Sequence, residues 1–139
     1  MGDGTSYTFS YATESYRSEP ADVYAGETVP LGIFAHASTM HALARYLVDT
    51  RGHGYSAAAR LVGRSPKSLW ASYHQAPPLP EIRGETLAVP LGIFVGRPAL
   101  EALVVWLRGQ GLRNIDIARA LGLSPKTTHT VATRAGVRR

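Results

Sequence analysis

Apolar residues recur three and four positions apart in two stretches of the chain, separated by glycine- and proline-containing breaks. In the second half, Leu100, Leu103, Val104 and Leu107 would lie on one face of an α-helix. Pro98 suits the first helical position, where a missing amide hydrogen costs nothing, and Gly109 and Gly111 stop the pattern. A second helix is expected over Asn114–Leu121, with Ile117, Ala118 and Leu121 inward and Gly122 as its break. Ser124 then caps a third helix that has Pro125 at its first position and Gly136 as its stop. The first half repeats this plan. Ser38 is the cap and Met40, Leu43 and Leu47 the face of its first helix; Ser56–Val62 is its second; Ser65 and Pro66 open a third that ends near Gln75.

The two halves are copies. The hexapeptide VPLGIF stands at Val29–Phe34 and again sixty positions later at Val89–Phe94. Ala42, Leu43, Tyr46 and Leu47 match Ala102, Leu103, Trp106 and Leu107 at the same offset. A one-residue gap, assigned to the loop, changes the offset to fifty-nine, after which Gly52, Ala59, Arg60 and Gly63 meet Gly111, Ala118, Arg119 and Gly122, and Ser65-Pro66-Lys67 meets Ser124-Pro125-Lys126. The expected organisation is an acidic, tyrosine-containing tail (1–28), a first unit (29–76), a proline-rich linker (77–84), a second unit (85–137) and a basic end (138–139). Within VPLGIF, proline and glycine predict an extended segment and not a helix. Its Leu, Ile and Phe would either strap over their own helices or pair the two copies with each other, and both remain open.

Two short helices joined by a glycine-containing turn, the second opened by Ser-Pro, form a helix-turn-helix pattern. The stretch Gly111-Leu112-Arg113-Asn114-Ile115-Asp116-Ile117-Ala118-Arg119-Ala120-Leu121-Gly122-Leu123-Ser124-Pro125-Lys126-Thr127-Thr128 resembles the LuxR-type and sigma-factor region-four-like helix-turn-helix. GHGYSAAARLVGRSPKSLWASY in the first unit is a more distant copy, similar also to small archaeal helix-turn-helix proteins that carry I-P-x-x-I-F ahead of the first helix. The resemblance implies an all-α fold of two tandem three-helix units, each preceded by its extended VPLGIF segment, and binding of duplex DNA. Two departures stand out. Thr128 occupies a position where the family has a branched aliphatic, and Ala57 replaces the acid found as Asp116 in the second unit.

Charge sharpens the picture. Residues 1–29 carry a net charge of −4 and residues 30–139 a net charge of +9, so a small basic body with a field attractive to polyanions follows an acidic tail. The chain's two lysines, Lys67 and Lys126, occupy equivalent positions in the first turn of each third helix, the turn that enters the major groove in helix-turn-helix complexes. Helical spacing turns Thr127, His129, Thr130, Thr133 and Arg134 outward in the second unit, and Ser68, Trp70, Ala71, His74 and Gln75 in the first. Arg60 and Arg119 lie on second helices, which cross the phosphate backbone in this architecture, and Arg113, Arg138 and Arg139 add charge at ends. Trp70 either stacks on a sugar or a flipped base or packs between the units, and packing is the expectation, since tryptophan usually buries most of its surface.

The remaining signals exclude other classes. Cysteine is absent, which removes disulfides and thiolate metal sites. The longest apolar run, ALVVWL at Ala102–Leu107, is far short of a membrane span, and no secretory leader is expected. Met1–Ser6 matches a myristoylation pattern that a prokaryote-like body makes irrelevant, and Tyr7–Tyr11 alternates like a strand. His36 and His41 lack the company a metal needs, and no catalytic constellation or cofactor motif occurs. The expected protein is therefore a cytoplasmic, nucleoid-associated binder of double-stranded DNA and not an enzyme, with a homo-oligomer or intrachain pseudo-dimer through VPLGIF left open. The alternative is an interaction or assembly module that kept the fold without the DNA; RNA binding ranks lower.

Overall fold

The computed structural model describes residues 27–82, 84 and 86–136. They are mostly helical, with one two-stranded sheet. In chain order the elements are β1 (Thr28–Pro30), a 3₁₀ turn (Leu31–Ala35), α1 (Thr39–Arg45) running into a π-helical turn (Tyr46–Thr50), α2 (Tyr55–Val62) and α3 (Pro66–Gln75). Then follow β2 (Ala88–Pro90), a 3₁₀ turn (Leu91–Phe94), α4 (Ala99–Gly109), α5 (Asn114–Leu121) and α6 (Pro125–Arg134). The described residues among 29–89 and 93–136 form one compact unit, while Glu27, Thr28 and Pro90–Gly92 belong to another. In the latter, the Leu91 amide donates to the Glu27 carbonyl at 3.1 Å. The acidic tail with its Tyr7–Tyr11 stretch, and the basic end with Arg138 and Arg139, lie outside the described residues.

Local chemistry explains the helix limits. Ser65 Oγ accepts from the Ser68 amide and Ser124 Oγ from the Thr127 amide, both at 3.1 Å, so each serine satisfies a donor that the first helical turn leaves free. Gly63 and Gly122, both at φ +69°, end α2 and α5 in the left-handed region that glycine enters without a Cβ penalty. Pro98 sits one residue earlier than its expected place. With ψ 139° it is the N-cap of α4, and the helix begins at Ala99.

VPLGIF is only partly extended. Val and Pro are strand, but Leu31–Ala35 and Leu91–Phe94 coil into 3₁₀ turns. Proline has no amide hydrogen with which to prolong the ladder. Three residues per turn then place Leu31 and Phe34 on one side, and both are buried. β1 and β2 pair with each other, and the Leu31 amide donates to the Leu87 carbonyl at 2.8 Å, an antiparallel register that sets Val29 opposite Val89. The copies thus meet directly. The turn at Leu31–Ala35 also packs on α1 of its own half and, more extensively, on α5 of the other.

Helices α2 and α3 pack together, as do α5 and α6; α1 lies on α3, α4 on α6, and α1 touches α4. Some of the cross-contacts join equivalent positions of the two copies. Phe34 and its repeat mate Phe94 face each other with ring centroids 6.1 Å apart. Gly63 abuts Val95, and its mate Gly122 abuts Ala35, the mate of Val95.

The one-residue gap between copies is not in the loop. It is absorbed within the first helix, where the Arg51 amide reaches the Tyr46 carbonyl five residues back at 3.1 Å. The equivalent carbonyl, that of Trp106, takes the Gln110 amide four residues on. An inserted residue is accommodated as a π-helical turn because the rest of the helix keeps its register and its buried face.

Candidate nucleic-acid interface

The caps at Ser65 and Ser124 fix where α3 and α6 start, and therefore place Lys67 and Lys126 at the second position of each helix, exposed. On α6, Thr127, His129, Thr130, Thr133 and Arg134 are exposed, while Thr128, Val131 and Ala132 are buried. On α3, Ser68, Trp70, His74 and Gln75 are exposed and Leu69 is buried. Ala71 and Tyr73 lie between these extremes. The two helices thus expose the outward residues that spacing assigns to them, apart from the part-buried Ala71.

Thr128 is accommodated without an orphaned hydroxyl. Its Oγ1 donates to the Ser124 carbonyl at 3.3 Å, the back-bond that threonine makes within a helix. A hydroxyl in the core therefore replaces the aliphatic without an unsatisfied polar group.

The cations on the second helices differ in setting. Asp116 accepts from the Arg113 amide at 3.3 Å and from Arg113 Nε at 3.0 Å, and lies 3.8 Å from Arg119 Nη1. The Arg113 side chain, then its amide, hold the Asp116 carboxyl below its ordinary value. Both guanidinium groups stay open to solvent, the side chains of Arg113 and Arg119 being 77% and 74% exposed. Exposed ion pairs of this kind are worth little, so a phosphate could replace the carboxylate at small cost. Arg60 on α2 is likewise exposed and makes a contact of its own.

Trp70 does not pack between the halves. Half its surface is exposed, and its ring leans on His74 with centroids 4.2 Å apart. His74 in turn meets Tyr73 edge-on at 5.2 Å and Tyr55 at 6.3 Å. The Tyr73 hydroxyl donates to Asp49 Oδ1 at 2.6 Å, and the Arg45 guanidinium lies 4.2 Å from the Tyr73 ring centre. Arg45 also binds Asp49 Oδ2 and the Ala76 carbonyl, both at 3.1 Å. Tryptophan points outward because it follows the buried Leu69 by one residue, a rotation of about 100° that carries it off the buried face, and helix geometry overrides its general tendency to burial.

Sequence reasoning missed this stack of rings and also Arg64. The signal was present: Tyr55, Trp70 and Tyr73 have Asn114, His129 and Ala132 as mates, so the aromatics belong to one copy alone. Arg64, whose mate is Leu123, donates through Nη1 to the Val62 and Phe94 carbonyls at 2.8 and 3.0 Å and through Nη2 to the Arg97 carbonyl at 2.9 Å. It joins the turn after α2 to the end of the second VPLGIF turn.

Among the described residues, no cluster of three or more His, Asp or Glu side chains could hold a metal ion. None of their helices is long and apolar enough to cross a membrane. No protein-family model, no curated protein and no solved structure matches the chain.

Proposed function

We propose that the chain binds duplex DNA through two tandem helix-turn-helix units, α1–α3 and α4–α6, as a transcriptional regulator or a small chromosome-associated protein of the cytoplasm. The observation that carries this reading is the paired, capped start of α3 and α6. Each begins Ser-Pro-Lys, exposes its lysine, and has no acidic residue in its first turn. A cation at the positive end of a helix is electrostatically unfavourable by about 0.3–1 kcal/mol. A phosphate docked there reverses the sign, since helix amides and lysine then bind the same anion. The net charge of +9 over residues 30–139 supports the same partner. The resemblance to LuxR-type and sigma region-four-like helices supplies the docking mode, in which α6, α3 or both would enter the major groove while Arg60, Arg113 and Arg119 approach phosphates.

The test is binding to random-sequence duplex DNA over a salt series, with single-stranded DNA as control and light scattering on the free protein. The expected result is duplex preference with log K falling steeply against log salt. Replacing Lys126 and Arg134 together by alanine should reduce that slope by about 2, one for each cation that no longer meets a phosphate, with folding unchanged. The exposed Trp70 favours a second reading, an assembly module without DNA. Salt-insensitive self-association with no duplex binding would establish that one instead.

A further inference from the structure

The two outward faces are not alike, and the difference has a built support. Lys67, Trp70 and His74 form an exposed stripe on α3; their mates on α6 are Lys126, His129 and Thr133. Half-exposing an indole is unfavourable when a smaller polar residue is accepted at the mate position. Yet the first half devotes to it a chain of ring contacts built on two tyrosines, Tyr55 and Tyr73, which the second half does not carry at the mate positions. Trp70 rests on His74, His74 on Tyr55 and Tyr73, and Tyr73 is held by Asp49 and Arg45. Asp49 lies in the π-helical turn that the inserted residue creates. In the second half Asn114 and Ala132 replace the two tyrosines, and α4 has no such turn. The indole therefore stands outward on neighbouring rings, and each contact it already makes reduces the ordering entropy to be lost when a partner covers it.

We infer that the chain reads an asymmetric DNA site in one fixed orientation: the half-site under α3 is marked by thymine, whose 5-methyl group packs on Trp70, and the half-site under α6 by polar contacts from His129 and its neighbours. This rests on the duplex-DNA reading. The major groove displays the thymine methyl to an apolar surface of this kind and displays hydrogen-bonding edges to a side chain like imidazole. Lys67, one turn before Trp70, and Lys126, one turn before His129, supply equivalent phosphate anchors, so the two faces differ in what they read and not in how they are held. A homodimer with identical halves favours a palindrome. A duplicated chain whose halves have diverged can define a direction along the duplex.

The experiment selects binding sites from random duplex DNA with the full-length protein and replaces thymine by deoxyuridine in each half of the recovered site separately. Deoxyuridine lacks the methyl group and keeps the pairing edge. Expected are two dissimilar half-sites, with substitution in one of them weakening wild-type binding about fourfold, the worth of one buried methyl-sized group. That loss should vanish in Trp70→Ala, shrink in Trp70→Phe, and persist in His129→Ala. Trp70→His, which copies the second half onto the first, should select a more symmetric site. Symmetric sites for the wild type, or equal indifference to deoxyuridine in both halves, would overturn the inference and leave salt-dependent duplex binding standing. Binding without any recoverable sequence preference would overturn it as well. Absence of duplex binding in the salt series would remove both this inference and the reading beneath it.

Discussion

A methyl group added to Gly63 would lie 3.1 Å from the Val95 Cα, whereas one added to its repeat mate Gly122 would lie 3.4 Å from the Ala35 carbonyl oxygen. Both glycines have φ +69°, so alanine meets the left-handed penalty of about 1 kcal/mol at either place. At Gly63 the neighbours are the Val95 backbone and both its methyls, and overpacking against the backbone adds about 1–3 kcal/mol. Gly63→Ala should therefore destabilise by about 2–4 kcal/mol and Gly122→Ala by about 1 kcal/mol. Urea unfolding of the two variants beside the wild type decides it. Equal losses would mean that the close approach at Val95 carries no energetic weight.

Arg64 stands where the second half has Leu123, and it makes hydrogen bonds that a leucine cannot. Its guanidinium satisfies three carbonyls, two of them in the other half of the sequence. Bonds from a charged donor contribute about 1.5–3 kcal/mol, so Arg64→Ala should cost about 2 kcal/mol in urea unfolding with an unchanged m value. Arg64→Leu should cost about 1 kcal/mol less than Arg64→Ala, because the stem still covers the junction. A loss no larger than that of an exposed control such as Arg60→Ala would show that the three bonds are no better than bonds to water.

The helices were legible in the sequence because their signals are local. Ser-Pro starts, glycine stops and the three-four spacing of Leu103, Val104 and Leu107 all act within a few residues, and the two copies reinforce each other. What stayed hidden depends on partners distant in the chain. The turn at Leu31–Ala35 packs on α5, some eighty residues on, and nothing in its own composition names that surface. The repeat alignment locates the inserted residue but not its form, since a loop and a π-helical turn absorb one residue equally well on paper. On the candidate interface, the exposure of Lys67 and Lys126 follows from the caps. The outward position of Trp70 follows from the helical phase that Leu69 defines, and the general burial tendency of tryptophan points the other way.

Thr128 is fully buried, and its hydroxyl bonds a carbonyl that the Thr128 amide already occupies at 3.1 Å. Replacing it by valine removes the hydroxyl without leaving the Ser124 carbonyl unpaired, and adds a methyl to an apolar setting. Thr128→Val should raise stability by about 0.5–1 kcal/mol, read as a melting-temperature increase of a few degrees. A decrease would mean that the back-bond to Ser124 fixes the start of α6 and is worth more than the added burial.

The Asp116 carboxyl, drawn down from its ordinary 3.8 by the Arg113 side chain and amide, makes α5 sensitive to acid. A carboxyl with a lowered folded value contributes stability above its unfolded value, and that contribution disappears as pH falls from about 3.8 through the lower folded value. NMR titration should find Asp116 ionised below the pH at which an unstructured aspartate protonates. Asp116→Asn should remove that part of the acid-unfolding slope and leave neutral-pH DNA affinity equal or slightly higher, since Arg113 and Arg119 are released toward phosphate. An ordinary titration of Asp116 would show that Arg113 does not hold it in solution.

Tyr73 offers the opposite sign at the opposite end of the scale. Its hydroxyl donates to Asp49, and this bond, followed by burial and the nearby carboxylate charge, raises its ionisation above the ordinary 10.0. The protonated form is the one that fits, so its stabilising contribution is complete below pH 10.0 and is lost as pH rises through the folded value. Ultraviolet titration should therefore reveal a late-ionising tyrosine that Tyr73→Phe abolishes. Asp49→Asn, which keeps an acceptor and removes the charge, should bring that tyrosine back toward 10.0. Because Tyr73 supports His74 and His74 supports Trp70, the same transition should reach the surface of α3. In a Trp106→Phe background, where Trp70 is the remaining tryptophan, its fluorescence should change with the tyrosine titration and lose that dependence in Tyr73→Phe. Trp70 emission that ignores the ionisation of Tyr73 would mean that the indole stands outward without the ring pedestal, and that its orientation is set by the helix alone.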